Sequence, residues 1–365
     1  DELEYFEGDP EKAARFAAIS GLAARRIASE GVTASDLCLQ AAQRLLAATG
    51  TDVREIGALF FVSLTPDYLL PASAAVLQHS LGLPQDCAVM DMNVGCAGFV
   101  NGMWLAAGLL QSRACSKILL LVGDTPARFT DPANRVTGPV FGDAGTASLL
   151  EYRKDAGTMS FSPGVSGERY EALIIPGGGS RIPPLPEESP AAPFNRVIPD
   201  GQGNPWTLGA YGRIWMEGML IYSFGVSTIP PHIKAHLEKA GLGAGDLDYL
   251  MLHQANKLMV GTIAKKVGVS AAKAPWGSLA KYGNLGAASL PSLICDTLVG
   301  KEDGGRDNIM LCGYGAGLTW NSCLLSLRDA HILPASDYVP PEHITTRAER
   351  IQHWHARFAG ETEQE

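Results

Sequence analysis

The sequence predicts a layered α/β protein built from two halves of similar architecture. Apolar runs of strand length alternate with helical patterns, which favours parallel strands with helices on both faces of a sheet. This alternation stops in a Gly- and Pro-rich stretch and then starts again, which indicates an internal duplication. We therefore divide the 365 residues into an N-terminal half, a connecting excursion, a C-terminal half and a polar tail, at 1–162, 163–212, 213–326 and 327–365.

The elements of the first half follow from local patterns. A helical pattern with a start at Ser35 or Asp36 spans 34–49, and Pro71 is expected to open a helix that runs through His79. Short apolar runs predict strands. They are ALFFVS at 58–63, AVMDM at 88–92, KILLLV at 117–122 and the segment 146–151.

The second half repeats the pattern of helices and short strands, and the tail is expected to end in a closing helix. The predicted helices lie at 215–240, 257–267, from the turn at 283–286 through Leu298, and at 344–358. The predicted strands are 249–252, 308–312 and 318–326, and a glycine hinge at 313–317 separates the last two.

Composition and charge limit the function. The net charge is −9 without a basic tract, which argues against a nucleic-acid partner. No apolar run reaches membrane-spanning length and no signal peptide is visible, so we expect a cytoplasmic protein with no membrane partner. The seven cysteines form no CxxC pair, which indicates reduced thiols. The chain starts at Asp1, and we expect that N-terminal sequence has been trimmed.

The stretch 88–113 combines a strand, a sharp turn and a helix, with Cys96 at the helix start. Small neighbours, Gly95 and Ala97, allow a tight turn and a close approach of substrate. A helix N-terminus favours thiolate over thiol, which makes Cys96 a candidate nucleophile. A buried structural cysteine is the alternative interpretation.

Two further polar residues are expected at the same edge of the sheets as Cys96. His253 and Asn284 are each expected, like Cys96, at the carboxyl end of a strand or in the turn just after it. A nucleophile, a histidine and an amide donor at one point suit acyl transfer through a covalent thioester. In the glycine hinge, Gly315 and Ala316 allow backbone N–H groups to complete an oxyanion hole with the N–H of Cys96, although a plain turn is the alternative.

Six motifs in order resemble the β-ketoacyl-acyl-carrier-protein synthase III family of condensing enzymes. They are GCAGF at 95–99, VFGDAGTA at 140–147, MEG at 216–218, HQAN at 253–256, GNLGAASLP at 283–291 and GYGAGLTW at 313–320. The resemblance covers about residues 1–326 and implies a thiolase-like five-layer αβαβα fold of two pseudo-repeated halves. The family usually has one more strand before the residues matching Asp1.

The resemblance implies a decarboxylative Claisen condensation that gives 3-oxoacyl-carrier protein. Cys96 would accept an acyl group from acyl-CoA, and a malonyl-carrier protein would lose carbon dioxide and attack it. His253 and Asn284 would stabilise the enolate, and the N–H groups of Cys96 and Ala316 would hold the acyl oxyanion. Such enzymes are homodimers that need no metal and no cofactor beyond these substrates.

The resemblance also assigns residues to substrate and carrier binding. Leu70, Arg135, Phe141 and Gly315 would contact the substrate, and Lys257, Lys265 and Lys266 would dock the acidic carrier protein. The family's adenine-stacking tryptophan is replaced by Arg15, and an arginine after HQAN is replaced by Leu258. These departures leave two donors open, acyl-CoA and an acyl-carrier protein. Leu70 replaces an often aromatic gate, so we expect a pocket that takes more than acetyl.

Other functions compete with this interpretation. The first alternative is a thiolase-fold acyltransferase or a starter-unit condensing enzyme of a specialised pathway. A degradative thiolase would need a cysteine in the hinge, and Cys312 lies one position too early for it. A hydroxymethylglutaryl-CoA synthase would need an acidic residue near the first turn, where Asp67 is out of register. A papain-like cysteine hydrolase and an inactive partner subunit are the remaining alternatives.

Overall fold

The computed structural model describes residues 5–131, 134, 136–182, 212–301 and 305–359, and the backbone of 197–199 and 205–207. Its helices are α1 (Pro10–Ser20), α2 (Ala34–Thr49), α3 (Ser73–Ser80), α4 (Gly98–Gln111), α5 (Gly218–Lys239), α6 (Lys257–Val267), α7 (Gly277–Tyr282), α8 (Ser289–Leu298) and α9 (Arg347–Ala359). Its strands are β1 (Ile56–Val62), β2 (Ala88–Met92), β3 (Lys117–Asp124), β4 (Ala144–Glu151), β5 (Ser160–Val165), β6 (Leu173–Ile174), β7 (Val197–Pro199), β8 (Pro205–Thr207), β9 (Trp215–Met216), β10 (Tyr249–Leu252), β11 (Ile309–Gly315) and β12 (Thr319–Leu325).

Two four-stranded sheets form the framework of the described chain. Their strand orders are β2-β1-β3-β4 and β10-β11-β12-β5. Strand β1 pairs in parallel with β2 and β3, and β10 pairs in parallel with β11. Strands β4, β12 and β5 join antiparallel, so the sheets are mixed rather than wholly parallel as the alternation had suggested.

Five layers follow from three clusters of buried side chains. On β1, Phe60 faces the central cluster with α4 and α8, whereas Leu59 and Phe61 face α2 and α3 on the outside. The second sheet behaves in the same way, because Leu311 faces the central cluster and Met310 faces α5 and α6. Period-two alternation of buried residues on both faces is the reason that each strand reads as a continuous apolar run. The layers are therefore α2 with α3, the first sheet, α4 with α8, the second sheet, and α5 with α6. This order confirms the predicted αβαβα layering.

The boundary predicted after residue 162 falls inside a strand of the second sheet. All of β5 pairs with β12, from Ser160 opposite Leu324 to Val165 opposite Thr319. The two sheets are therefore separated between β4 and β5, at 152–159. Part of the predicted excursion at 163–212 lies outside the described residues, and within the described part β6 pairs with β9 close to the start of α5.

Capping interactions explain where two helices begin. Helix α2 starts after Thr33, which forms a reciprocal capping box with Asp36. Helix α3 starts at Ser73 rather than at Pro71, because the carboxylate of Asp91 accepts hydrogen bonds from the N–H groups of Ser73 (2.7 Å) and Ala74 (2.8 Å). This cap comes from another strand, so the local sequence did not reveal it.

The tail crosses the surface of the first half and ends in α9. The side chain of Gln40 on α2 exchanges two hydrogen bonds of 2.9 Å with the backbone of Val339. Among the residues that the structure describes, no helix is long and apolar enough to cross a membrane. No cluster of three or more potential metal-binding side chains is found in the same described ranges.

Candidate active site

Cys96 lies in the turn between β2 and α4, as the sequence predicted. Its side chain is 7% exposed, and the turn is closed by a hydrogen bond from the Gly98 N–H to the Gly95 carbonyl (2.6 Å). Gly98 has little free space, since a Cβ atom there would lie 2.5 Å from Val62 Cγ1. The small residues around Cys96 therefore let the start of α4 pack directly on β1.

The expectation that the helix start favours the thiolate is wrong for the resting site. Burial, with a smaller contribution from the nearby carboxylate of Asp124, raises the pKa of the Cys96 thiol to about 12. The N–H groups of Cys96 and Ala316 act in the opposite direction but do not overcome desolvation. Cys96 is therefore a neutral thiol at pH 7, and its proton must leave as the new carbon–sulfur bond forms.

The glycine hinge of β11 lies against Cys96. A Cβ atom on Gly315 would lie 2.8 Å from both Cβ and Sγ of Cys96, and one on Gly313 would lie 2.6 Å from the Cys96 carbonyl oxygen. The N–H of Ala316 lies near enough to the Cys96 thiol to act against the rise in its pKa. Glycine is thus required here for close approach, and the oxyanion hole that the sequence assigned to the N–H groups of Cys96 and Ala316 stays a prediction.

Gly315→Ala is expected to slow acylation of Cys96 on the order of 10²-fold, because the methyl group must displace Sγ from its reactive position. The measurement is the single-turnover acylation rate. Gly108→Ala on α4 is the matched control, because a Cβ atom there meets nothing within 4 Å. Equal rates for the two variants would contradict the close packing of Gly315 on the nucleophile.

His253 follows β10 directly and contacts β11, the strand whose glycine hinge packs on Cys96. Its backbone N–H donates to the Cys312 carbonyl (2.9 Å), and its ring meets the Tyr314 ring edge-on at a centroid distance of 5.6 Å. Burial lowers the pKa of His253 to about 3, so the imidazole is neutral. Its Nδ1 atom is buried and has no hydrogen-bond partner among the described atoms. The imidazole is therefore neutral, and its buried Nδ1 leaves Nε2 as the ring nitrogen that we expect to meet a substrate.

Asn284 does not follow a strand, contrary to the sequence-based expectation. It lies in the turn between α7 and α8, where its backbone N–H donates to the Val140 carbonyl (3.0 Å) and its carbonyl accepts from the Gly142 N–H (3.0 Å). Its side-chain Oδ1 accepts from the Gly286 N–H (3.1 Å). This leaves the amide NH₂ as the donor that the side chain can offer.

Packing links the segments that carry these three residues. The hinge of β11 contacts Cys96 at Gly315, and its neighbour Tyr314 contacts the ring of His253. The segment after Asn284 lies near the start of α4, because a Cβ atom on Gly98 would lie 3.4 Å from Cβ of Ala287. The grouping of the thiol, the imidazole and the amide themselves stays a prediction.

The residues predicted to bind substrate have different positions. Phe141 is 6% exposed and forms a parallel bridge with Asn284, whereas Leu70 is 88% exposed and does not line the site within one chain. Arg135 lies outside the described residues. Arg25, which the sequence did not single out, donates to the carbonyls of Gly138 (2.6 Å) and Phe141 (3.1 Å). It thereby holds the loop whose last residue, Phe141, pairs with Asn284.

The three predicted docking lysines share the exposed face and ends of α6. The Lys257 ammonium lies 4.8 Å from the centroid of the Trp276 ring, and Lys266 Nζ donates to the Val226 carbonyl (2.9 Å). Lys265 is also exposed. The cluster is a basic surface on a chain with a net charge of −9.

The structure also bears on the thiolase alternative. Cys312 on β11 belongs to the cluster with α5 and α6, whereas its neighbour Leu311 belongs to the central cluster beside α4. The Cys312 thiol thus faces away from Cys96, as the register argument predicted. Burial raises its pKa well above the ordinary value, which makes it an inert core thiol.

Comparisons with known proteins identify the family. The family model described as 3-oxoacyl-[acyl-carrier-protein (ACP)] synthase III matches residues 90–167, and its C-terminal counterpart matches residues 237–327. A putative 3-oxoacyl-[acyl-carrier-protein] synthase 3 of Campylobacter jejuni is 32% identical over 91% of this chain and 90% of its own. A β-ketoacyl-[acyl-carrier-protein] synthase III 2 of Halalkalibacterium halodurans is 32% identical over 84% of this chain and 86% of its own.

A similar solved structure supports the fold. The crystal structure of 3-oxoacyl-(acyl-carrier protein) synthase from Burkholderia xenovorans is 34% identical, covers 91% of this chain and 90% of its own, and has a TM-score of 0.81. Fold and site together define a thiolase-fold condensing enzyme that transfers acyl groups. The chain belongs to the 3-oxoacyl-[acyl-carrier-protein] synthase III family.

Proposed function

We propose that this protein condenses an acyl thioester with malonyl-acyl carrier protein, through an acyl group carried on Cys96, to give 3-oxoacyl-carrier protein. The observation that supports this most directly is the buried Cys96 thiol at the start of α4, packed on the glycine hinge at Gly315. Family membership supplies the reaction type, and the site supplies the residues. The reaction uses a thiol, an imidazole and an amide, and we propose no bound metal or further cofactor.

In the first half-reaction, Cys96 Sγ attacks the carbonyl carbon of the acyl donor. The N–H groups of Cys96 and Ala316 stabilise the oxyanion, which collapses to the Cys96 thioester and releases the donor's thiol. Over the whole half-reaction, the proton of the Cys96 thiol ends on the sulfur of the released donor thiol, so atoms and charge balance. Since burial raises the pKa of the Cys96 thiol to about 12, little thiolate is present before the attack.

In the second half-reaction, the malonyl thioester loses carbon dioxide and becomes an enolate. The neutral His253 ring and the Asn284 amide donate hydrogen bonds to its oxygen, and the enolate carbon attacks the acyl-Cys96 carbonyl. Collapse of that intermediate expels the Cys96 sulfur, which regains a proton. A His253 pKa of about 3 supports this role, because the ring donates without holding a formal charge before the reaction.

We propose the basic surface of Lys257, Lys265 and Lys266 as the docking site for the acidic carrier protein. Charge complementarity is the supporting argument, since these lysines lie on one helix of an otherwise acidic chain.

Arg135, Phe141 and Gly315 are proposed as substrate contacts. The acyl donor is acyl-CoA or an acyl-carrier protein. All seven cysteines are free thiols, which agrees with a reducing cytoplasm.

We further propose a homodimer that uses the β2 edge of the first sheet. In the described sheet β2 has a neighbour on one side only, and its side chains Val89 and Met90 are 37% and 47% exposed. Trp104 on α4 is 48% exposed, and Leu69 and Leu70 are almost fully exposed. Such an apolar edge is suited to a second copy, in which Leu70 would reach the partner's acyl pocket.

Intact-mass spectrometry tests the function and the pocket together. The protein is incubated with acetyl-, butyryl-, hexanoyl- and octanoyl-CoA and with the corresponding acyl-carrier proteins, and malonyl-carrier protein is then added. We expect a mass increase of one acyl group on Cys96 and its discharge as 3-oxoacyl-carrier protein. Because Leu70 is smaller than an aromatic gate, we expect chains longer than acetyl to be accepted. Acetyl as the sole accepted group would contradict the pocket prediction, and no acylation by any donor would contradict the function.

A further inference from the structure

One buried carboxylate joins the two turns that carry Cys96 and Asn284. Asp124 is the last residue of β3 and is 1% exposed. Its Oδ1 accepts from the Leu64 N–H (2.7 Å) and the Ser63 hydroxyl (3.2 Å), just after β1. Its Oδ2 accepts from the Ala287 N–H (3.0 Å), three residues after Asn284. The same side chain therefore ties the first half of the chain to the Asn284 turn of the second half.

The two backbone donors of Asp124 lead directly to both sides of Cys96. A Cβ atom on Gly95 would lie 3.1 Å from Cδ1 of Leu64, and one on Gly98 would lie 3.4 Å from Cβ of Ala287. Gly286 packs against the carboxylate, since a Cβ atom there would lie 2.5 Å from Asp124 Oδ2. Movement of the carboxylate would therefore shift the residues that flank the nucleophile and the Asn284 turn.

We infer that Asp124 is a positioning residue, whose carboxylate holds the Cys96 turn and the Asn284 turn in the relative geometry that condensation needs. The inference rests on the function proposed above. A carboxylate offers each of these N–H groups its own oxygen, Oδ1 for Leu64 and Oδ2 for Ala287, which gives the choice of an acidic residue a physical reason. The cost of placing this charge in the core is offset by three donors.

The charge of Asp124 has a second effect, which opposes the first. It disfavours the Cys96 thiolate by like-charge repulsion. Burial raises the pKa of Asp124 itself to about 6, and Asp143 contributes in the same direction, so the group is ionised at pH 8. Removing the charge should therefore ease thiolate formation at Cys96 while it loosens the Asn284 turn. The two half-reactions should respond in different ways.

Asp124→Asn tests this, because it keeps the size of the side chain and replaces one acceptor oxygen by an NH₂ group. At pH 8 we expect condensation of pre-acylated enzyme to fall on the order of 10- to 100-fold in kcat, with little change in KM for malonyl-carrier protein. Acylation should not slow. The rate at which iodoacetamide alkylates Cys96 at pH 9, measured by peptide mass mapping over time, should rise about 3- to 10-fold.

Asp143→Asn is the matched control for loss of a buried carboxylate. Asp143 is 6% exposed and accepts from the N–H groups of Ala28 (2.9 Å) and Ala127 (3.1 Å), and neither donor belongs to the Cys96 or Asn284 turn. We expect it to lower the melting temperature as Asp124→Asn does, with condensation and Cys96 alkylation within about 3-fold of wild type.

Ser63→Ala removes one hydrogen-bond donor to Asp124. It should lower the rate of condensation in the same way as Asp124→Asn but by a smaller factor. This variant keeps the test valid if Asp124→Asn does not fold.

The outcomes separate this inference from the proposed function. A wild-type protein that neither acylates nor condenses contradicts the function, whereas the alkylation comparison still reports the charge near Cys96. A wild-type protein that does both, with equal losses in Asp124→Asn and Asp143→Asn, overturns the positioning role alone. Slower acylation in Asp124→Asn, in step with condensation, would also overturn it, since a general loss of structure lowers both half-reactions.

Discussion

Cys96→Ala is expected to abolish formation of the acyl-enzyme, because no other thiol is placed to replace it. Cys312 and Cys323 are fully buried in the core, where desolvation raises the pKa of each well above its ordinary value. Alanine also fits the turn, whose other small residues already pack closely, so the folded structure should persist. The acylated species should disappear from the intact-mass spectrum, and the overall rate should fall below detection.

The control for this experiment is Cys295→Ala on α8. That thiol is partly exposed and is not in contact with the glycine hinge, so its removal should leave acylation unchanged. Circular dichroism and melting temperature should match wild type in both variants. Retained acylation in Cys96→Ala would refute the assignment of the nucleophile, and mapping of the modified peptide would then identify the residue that carries the acyl group.

The fold was predictable where buried strands produce continuous apolar runs. The runs at 58–63 and 117–122 correspond to β1 and β3, and the helical pattern at 257–267 corresponds to α6. Strand β5 was not foreseen, because its residues are only partly buried and it pairs with a strand more than 150 residues away. Such a long-range pairing leaves no local periodicity in the sequence.

The site was predictable in its residues more than in its electrostatics. A cysteine between a strand and a helix, and a histidine after a strand, are local features that the sequence displays. The pKa of Cys96 depends instead on how many distant segments exclude water from it, so the local argument from the helix start gave the wrong direction. Asp124 escaped notice for a related reason, since its three donors come from segments about 60 and 160 residues away.

Helical or strand periodicity also cannot predict which apolar residues are exposed in the single chain. Trp104 follows the spacing of the buried face of α4, and Met90 lies in an apolar run, yet both are about half exposed in the single chain. Periodicity identifies apolar faces but does not distinguish a core from a subunit interface. The proposed dimer accounts for both residues with one surface.

His253→Ala and Asn284→Ala are each expected to suppress decarboxylation of malonyl-carrier protein by roughly 10²–10³-fold, the scale of one lost oxyanion donor. Acylation of Cys96 should be spared, because its oxyanion is held by backbone N–H groups rather than by these side chains. The two rates are measured separately, as the acyl mass increase in a single turnover and as carbon dioxide release from labelled malonyl-carrier protein.

Asn284→Asp separates donation by the amide from its structural role. A carboxylate Oδ1 can still accept the Gly286 N–H that holds the turn at 3.1 Å, but the NH₂ donor is gone and a negative charge faces the developing enolate. We therefore expect Asn284→Asp to decarboxylate at least as poorly as Asn284→Ala while it keeps the melting temperature of the wild type. Near-normal decarboxylation in Asn284→Asp alone would show that the side chain acts by fixing the turn and not by donating to the enolate oxygen.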